Sequence, residues 1–154
     1  MVCVNKKLIE RYPFLVPRDW ETGEIADNYD NSYTMLDEMP DGWRLAFGTE
    51  MLEELREILV RHNILHNYIV QQIKEKFGAL RWYGKGVSAE TFEEHKAWLD
   101  KYSMESAYTC IGCGKPATRI TTDYILPFCE ECVKFHEKNY KKLPSPYEYY
   151  GIYH

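Results

Sequence analysis

Two stretches of the chain space their apolar positions as a helix does. From residue 49 to 62 apolar side chains recur every three or four positions, namely Met51, Leu52, Leu55, Ile58 and Leu59. Thr49 can cap this predicted helix, and Asn63 can end it. A second helix is predicted over residues 89–105, with Ser88 as its cap. Its apolar stripe comprises Phe92, His95, Leu99 and Tyr102.

Between these helices, apolar and polar side chains alternate, which predicts a β-hairpin over residues 66–83. The alternation places Ile69, Gln71, Ile73, Glu75 and Phe77 on one side of the first strand. Gly78 permits the turn. A short helix is also predicted over residues 6–12, before Pro13 stops it. The order of helix, hairpin and helix indicates an α+β fold.

Residues 19–48 show no periodicity, and we expect an ordered loop with turns at Gly23 and at residues 40–42. Between residues 19 and 41 the chain has eight acidic residues and no lysine or arginine. Two interpretations stay open: a solvated loop that wraps the core, and an acidic surface that docks on a basic partner, even as a nucleic-acid mimic. The candidate partner contacts in this loop are Asp27, Asp30, Asp37 and Glu38.

Four of the five cysteines have the spacing C-x2-C-x15-C-x2-C, which is typical of a zinc site. They are Cys110, Cys113, Cys129 and Cys132. Four thiolates fill the tetrahedral coordination of one zinc ion and leave no position for water. The predicted role is therefore structural and not catalytic. Four thiolates also accept iron, so the metal is zinc or iron by this criterion.

A short hairpin over residues 117–128 and a helix over residues 129–141 are predicted around the cysteines. Loop, hairpin and helix in this order are the treble-clef arrangement. The predicted organisation is an α+β core over residues 1–106, with the acidic loop 19–48, and a zinc-binding module over residues 107–154. The module ends in a tyrosine-rich tail, which is either a strap over the core or an exposed ligand peptide.

Residues 73–83 and the two cysteine pairs that follow them are similar to the motifs of a known family. Residues 73–83 read IKEKFGALRWY, and the cysteine pairs follow within CIGCGKPA and PFCEEC. These motifs resemble those of a family of small proteins encoded by bacteriophages, prophages and bacterial genomes. The resemblance brings no catalytic residues, and it implies an accessory protein that binds a host protein, including host defence proteins. Within the motif, Arg81 and Trp82 are candidate partner contacts, and Arg81 can alternatively pair with an acid of the 19–41 segment.

Charge and composition favour some of the candidate functions over others. The net charge is −5, and the last predicted helix mixes lysines with glutamates, which is unlike a strong nucleic-acid binder. The chain shows no signal peptide and no transmembrane run, so we expect a soluble protein of the bacterial cytoplasm without a membrane partner. The first expectation is a host-protein binder that inhibits an anti-phage defence factor. A nucleic-acid-binding zinc-finger module is second, and a metal-dependent nuclease is third because no catalytic constellation is evident.

Overall fold

The computed structural model describes residues 2–136 and 139–145 of the chain. It contains five α-helices in these residues: α1 Val2–Arg11, α2 Asp41–Trp43, α3 Thr49–Arg61, α4 Phe92–Ala107 and α5 Glu130–His136. The strands are β1 Ile69–Lys76, β2 Ala79–Lys85, β3 Arg119–Thr121, β4 Pro127–Phe128 and β5 Tyr140–Lys142. Short 3-10 helices lie at Pro13–Leu15 and Met35–Glu38. The tyrosine-rich tail falls, from residue 146 onward, outside the described residues.

The strands form two separate antiparallel sheets. Strands β1 and β2 make a two-stranded hairpin, and the second sheet has the order β4-β3-β5. The predicted mixture of helices and antiparallel strands is confirmed. In the part of the chain that the structure describes, no helix has the length and apolarity needed to cross a lipid bilayer. The predicted boundary between residues 106 and 107 falls at the end of α4, and the division into two domains stays a prediction.

The predicted loop 19–48 is too long, because residues 41–48 at its end are helical. Helix α2 begins directly after Pro40 and continues through a π-helical turn, Arg44–Gly48, into α3. Trp43 of α2 and Phe47 of the π-helical turn are buried in the core, and their burial stabilises the helical conformation of this stretch. Thr49 therefore lies inside a continuous helix and caps nothing. At the other end Asn63 has a φ of 56°, the left-handed conformation that ends helices, as predicted.

A β-bulge changes which side chains of β1 face the core. The register shifts between Val70 and Gln72, so that Val70 and Ile73 are the buried residues of this strand. The predicted alternation holds for Ile73 and Glu75 after the bulge, and it is wrong before the bulge, where Val70 and not Ile69 faces the core. The two-residue turn at Phe77 and Gly78 has positive φ at both positions, as the twist of a tight hairpin requires.

Helix α4 starts later than predicted and buries a different stripe. Ser88 lies before the helix, where its hydroxyl is 2.9 Å from that of Thr91. Phe92 is largely exposed, so it does not belong to the apolar stripe. The buried face of α4 consists of His95, Trp98, Tyr102, Ser106 and Ala107.

A hydrogen-bonded cluster of rings joins the hairpin to α4. The indole of Trp82 donates to the hydroxyl of Tyr68 at 2.9 Å, and this hydroxyl lies 2.7 Å from Nε2 of His95. The tautomer of His95 sets which of these two atoms donates the second hydrogen bond. Trp82 packs edge-on against Trp98 and is only 4% exposed. Trp82, predicted as a partner contact, is therefore almost entirely buried, and its role in partner binding stays a prediction.

We expect the stability of the protein to decrease as the pH is lowered, because of His95. Burial lowers the pKa of this imidazole below its ordinary value of 6.5. The unfolded chain then takes up the proton first, so the free energy of unfolding decreases as the pH falls below 6.5. Urea unfolding at a series of pH values between about 5 and 8 measures this slope. In the variant His95→Gln, the free energy of unfolding should depend less steeply on pH in this window. An unchanged slope would mean that other groups cause the pH dependence.

Gly84 tests the packing of the same cluster. A Cβ at this position would collide with the ring and hydroxyl of Tyr68. We expect Gly84→Ala to lower the free energy of unfolding by about 1–3 kcal/mol. Gly48→Ala is the matched control, since its Cβ would meet only the flexible Arg44 side chain at 3.4 Å or more. This control keeps or raises stability, by up to about 1 kcal/mol, because alanine favours the helix.

Candidate metal centre

The four predicted ligands converge on one point. The Sγ atoms of Cys110, Cys113, Cys129 and Cys132 all lie within 4.8 Å of one another. The Sγ atoms of Cys113 and Cys129 are 3.7 Å apart. Zinc–sulfur bonds of about 2.3 Å in a tetrahedron place sulfurs about 3.8 Å apart. The cluster can therefore hold a metal ion, and its geometry is compatible with zinc.

The first cysteine pair lies in a tight turn between α4 and β3. The amide of Gly114 donates to the carbonyl of Cys110 at 3.0 Å, and the amide of Cys110 donates to that of Lys115 at 2.7 Å. Gly114 has a φ of 85°, which a residue with a side chain rarely adopts. Gly114 therefore permits the tight turn that carries the first cysteine pair.

The second pair is held by β4 and the first turn of α5. The amide of Cys132 points at Sγ of Cys129, 3.4 Å away. Burial alone would raise the pKa of Cys129, but this amide and the neighbouring thiols outweigh burial and lower that pKa to about 7. The pKa of Cys132 is raised, by burial and by the same thiols. One thiolate forms readily, whereas four adjacent thiolates repel one another, so full ionisation of the site requires a bound cation.

The cysteine turn is attached both to the second sheet and to the core. Its Ile111 amide donates to the carbonyl of Pro127 at 3.0 Å, and its Ile111 carbonyl accepts from the amide of Gly42 at 2.9 Å. Next to this contact, the indole of Trp43 donates to the carbonyl of Thr109 at 3.0 Å. A Cβ at Gly42 would collide with the backbone of residues 110 and 111. No pattern in the sequence predicted this contact, in which Gly42 permits the backbone of α2 to approach that of the cysteine turn.

Helix α5 is shorter than the predicted helix 129–141. It ends at His136, and the chain then returns as β5 along the free edge of β3. Pairing with β3 satisfies backbone groups there and brings Leu143 into a small cluster with Ala79 and Ile120, which accounts for the strand. Two polar side chains of this module, which could otherwise serve a nuclease, have structural partners. His136 stacks on Phe128 at 5.0 Å, and Asp123 accepts from the Asn139 side chain at 2.8 Å.

Two cations near the cysteines are paired with carboxylates. Lys115 lies 3.8 Å from Glu131, and Arg119 lies 3.6 Å from Glu130. These pairs are exposed and contribute little stability. They do reduce the positive charge that the surface of α5 presents to a polyanion.

The predicted partner-contact residues lie in two parts of the chain, four in the loop 19–48 and two on β2. Asp27 is exposed, Asp30 accepts from the amide of Ser32 at 3.0 Å, and Glu38 is half-buried. Asp37 accepts from the amide of Thr34 at 2.8 Å and completes a capping box there. Arg81 lies elsewhere, on β2, and donates to the hydroxyl of Ser103 at 3.1 Å. Its described partners are thus this hydroxyl and the carbonyl of Leu80, and not an acid of the 19–41 segment.

No protein-family model, no curated protein and no solved structure matches the chain. The cysteine geometry is therefore the feature that defines this site, independently of any relative.

We expect Cys110→Ser to lose the metal and to destabilise the module around it. Metal binding at such a site contributes directly to folding, so the free energy of unfolding falls by at least about 3 kcal/mol. Elemental analysis of the purified protein measures metal per chain and identifies it. Hydrogen exchange should show faster exchange of the amides in residues 110–136. Cys3→Ser is the matched control, since Cys3 lies outside the four-cysteine spacing; equal metal loss in both variants would contradict this assignment.

Proposed function

We propose that the four cysteines hold one structural zinc ion in a treble-clef module. The supporting features are the turn that bears the first pair, the β3–β4 hairpin, and the second pair at the start of α5. Four sulfurs leave a tetrahedral ion no position for water or substrate, so the ion acts as a cross-link and not as a Lewis acid. The four thiols are free of disulfides, which fits the reducing cytoplasm of a bacterium as the place of action.

The function that we propose is binding of a basic protein surface by the acidic segment, residues 19–38. The single observation that carries it is the exposure of large apolar side chains among unpaired carboxylates. Trp20 is 69% exposed, and Ile25 and Tyr33 are each 40% exposed. Interfaces are enriched in aromatic residues, and flanking charges steer partners and select among them. The resemblance to phage-encoded proteins suggests a host protein as the partner, with inhibition of a defence factor as the outcome.

The acidic segment is also organised by its own hydrogen bonds. The Asp19 carboxylate accepts from the amides of Glu21 and Thr22, and Arg18 donates to the carbonyl of Gly23 at 2.8 Å. Asn5 of α1 donates to the carbonyl of Asn31 at 2.8 Å. An ordered segment loses less conformational entropy on binding than a flexible one. These contacts therefore lower the entropic cost of docking through the acidic segment.

Charge neutralisation at Glu21, Glu24 and Asp27 tests this proposal. Their carboxylates accept none of the hydrogen bonds that shape the segment, in contrast to those of Asp19 and Asp37. We expect Glu21→Gln, Glu24→Gln and Asp27→Asn together to abolish capture of a basic host protein from a bacterial lysate while the melting temperature stays unchanged.

The matched control neutralises three acids that lie on other surfaces: Glu57, Glu90 and Glu93. Wild type and control retain the same captured protein, and the first triple variant loses it. Equal retention by all three proteins would refute docking through the acidic segment. Capture that disappears on nuclease treatment would instead point to a nucleic-acid bridge.

A further inference from the structure

The second surface with unbalanced charge is the outward face of the β1–β2 hairpin. The register places Lys74 opposite Arg81 and Gln72 opposite Tyr83, and facing residues of an antiparallel pair point to the same side. Lys76 and Lys85 follow on this side, each two positions further along its strand. We call this set, Gln72, Lys74, Lys76, Arg81, Tyr83 and Lys85, the basic face. The opposite side of the hairpin buries Ile73 and Trp82 in the core.

The cations of the basic face have no carboxylate partners. Within residues 2–136 and 139–145, Lys74, Lys76, Arg81 and Lys85 form no ion pair. Basic side chains elsewhere are commonly paired, as in Arg11–Glu53, Arg61–Glu94, Lys96–Asp100 and Lys101–Glu54. The basic face therefore gathers four cations without ion pairs on one side of a hairpin, whereas other described cations without ion pairs, such as Lys6, Lys7 and Lys134, lie on other elements.

Two aromatic rings lie among these cations. Nζ of Lys74 lies 5.6 Å from the centre of the Tyr83 ring, and Nζ of Lys76 lies 5.8 Å from that of Phe77. Tyr83 is 41% exposed and Phe77 is 59% exposed. Rings on a sheet, flanked by cations, are what single strands of nucleic acid use, because bases stack on the rings while phosphates meet the cations.

A groove next to the basic face has room for a base. It lies between β2 and α4 and has a volume of about 520 Å³. Its walls are apolar at Met51, Leu80 and Leu99. Arg81 and Ser103, joined by their hydrogen bond, offer polar atoms at its side, and Asp100 there is neutralised by Lys96. An apolar slot with a few polar groups fits a flat heterocycle with polar edges.

We propose that the basic face and its groove bind single-stranded nucleic acid. The phosphates contact Lys74, Lys76, Arg81 and Lys85, and a base stacks on Tyr83 at the mouth of the groove. This surface is separate from the zinc module, whose cations are partly paired, and from the acidic segment 19–38. Charge complementarity carries the choice of a polyanion, and the exposed rings favour nucleic acid over an acidic peptide.

Fluorescence anisotropy of labelled oligo(dT) and oligo(U), each about ten nucleotides long, tests the proposal with the full chain. With four phosphates neutralised, we expect the affinity to fall about 50-fold between about 50 and 200 mM salt. Stronger binding of oligo(U) would identify RNA as the ligand, through its 2′-hydroxyls, and stronger binding of oligo(dT) would identify DNA. Absence of binding of both at low salt would overturn the proposal.

Variants locate the binding on the basic face. Lys74→Gln with Lys76→Gln should reduce the slope of log affinity against log salt by about 1.4, because two phosphate contacts are lost. The matched control is Lys6→Gln with Lys7→Gln, which removes the same charge from exposed positions of α1. Equal effects of both double variants would overturn the assignment to the basic face.

A second pair of variants isolates the stacking. Tyr83→Leu should weaken binding about tenfold, whereas Tyr83→Phe keeps the ring and the affinity. Unchanged circular dichroism and melting temperature show that the changes leave the fold intact. Sedimentation tests the competing occupant, the acidic segment of a second copy. Self-association that the Lys74 and Lys76 changes abolish, with no binding of either oligonucleotide, would overturn nucleic acid as the ligand.

Discussion

The close approach of two backbones at Gly42 and Ile111 holds the two parts of the structure together. The Gly42 amide donates to the Ile111 carbonyl, and the fully buried Trp43 donates its indole proton to Thr109. The helix that begins at Asp41 continues to Arg61 and supplies much of the large core. The cysteine turn therefore lies directly against the end of a core helix. A metal ion in this turn restrains both the second sheet and the start of that helix.

This arrangement explains why the metal site and the binding surfaces lie apart. The four sulfurs are enclosed between the cysteine turn, β4 and α5, and a tetrahedral ion among them has its coordination complete. The acidic segment and the hairpin are positioned instead by the core, through α1, the 3-10 helices and α4. The site with recognisable chemistry thus contributes rigidity, and the surfaces with unbalanced charge carry the proposed binding.

Particular elements show how far prediction reached. The helix over residues 49–62 and the hairpin were predictable because a sustained period identifies the element. The buried face of β1 was not predictable, since the bulge between Val70 and Gln72 changes it. The true start of the helix was not predictable either, since residues 19–48 show no periodicity. The last strand was missed because its pairing with β3 joins residues about twenty positions apart in the chain. Trp82 was misplaced because an aromatic residue in a motif has the same letter whether it is buried or exposed.

The sequence by itself identified the four cysteines that converge, since their spacing is typical of a tetrahedral metal site whatever the surroundings. It also determined the acidic segment, because the charges there all fall within one short stretch of the chain. Only the tertiary structure decided where unbalanced positive charge lies. Lys74, Lys76, Arg81 and Lys85 are interrupted in sequence by apolar residues and by Glu75, and the net charge of −5 conceals them. Strand pairing places these four cations on one face of the hairpin, and ion pairs neutralise several cations elsewhere. Electrostatic interaction depends on distance in space and not on position in the chain, so the sequence alone could not locate this surface.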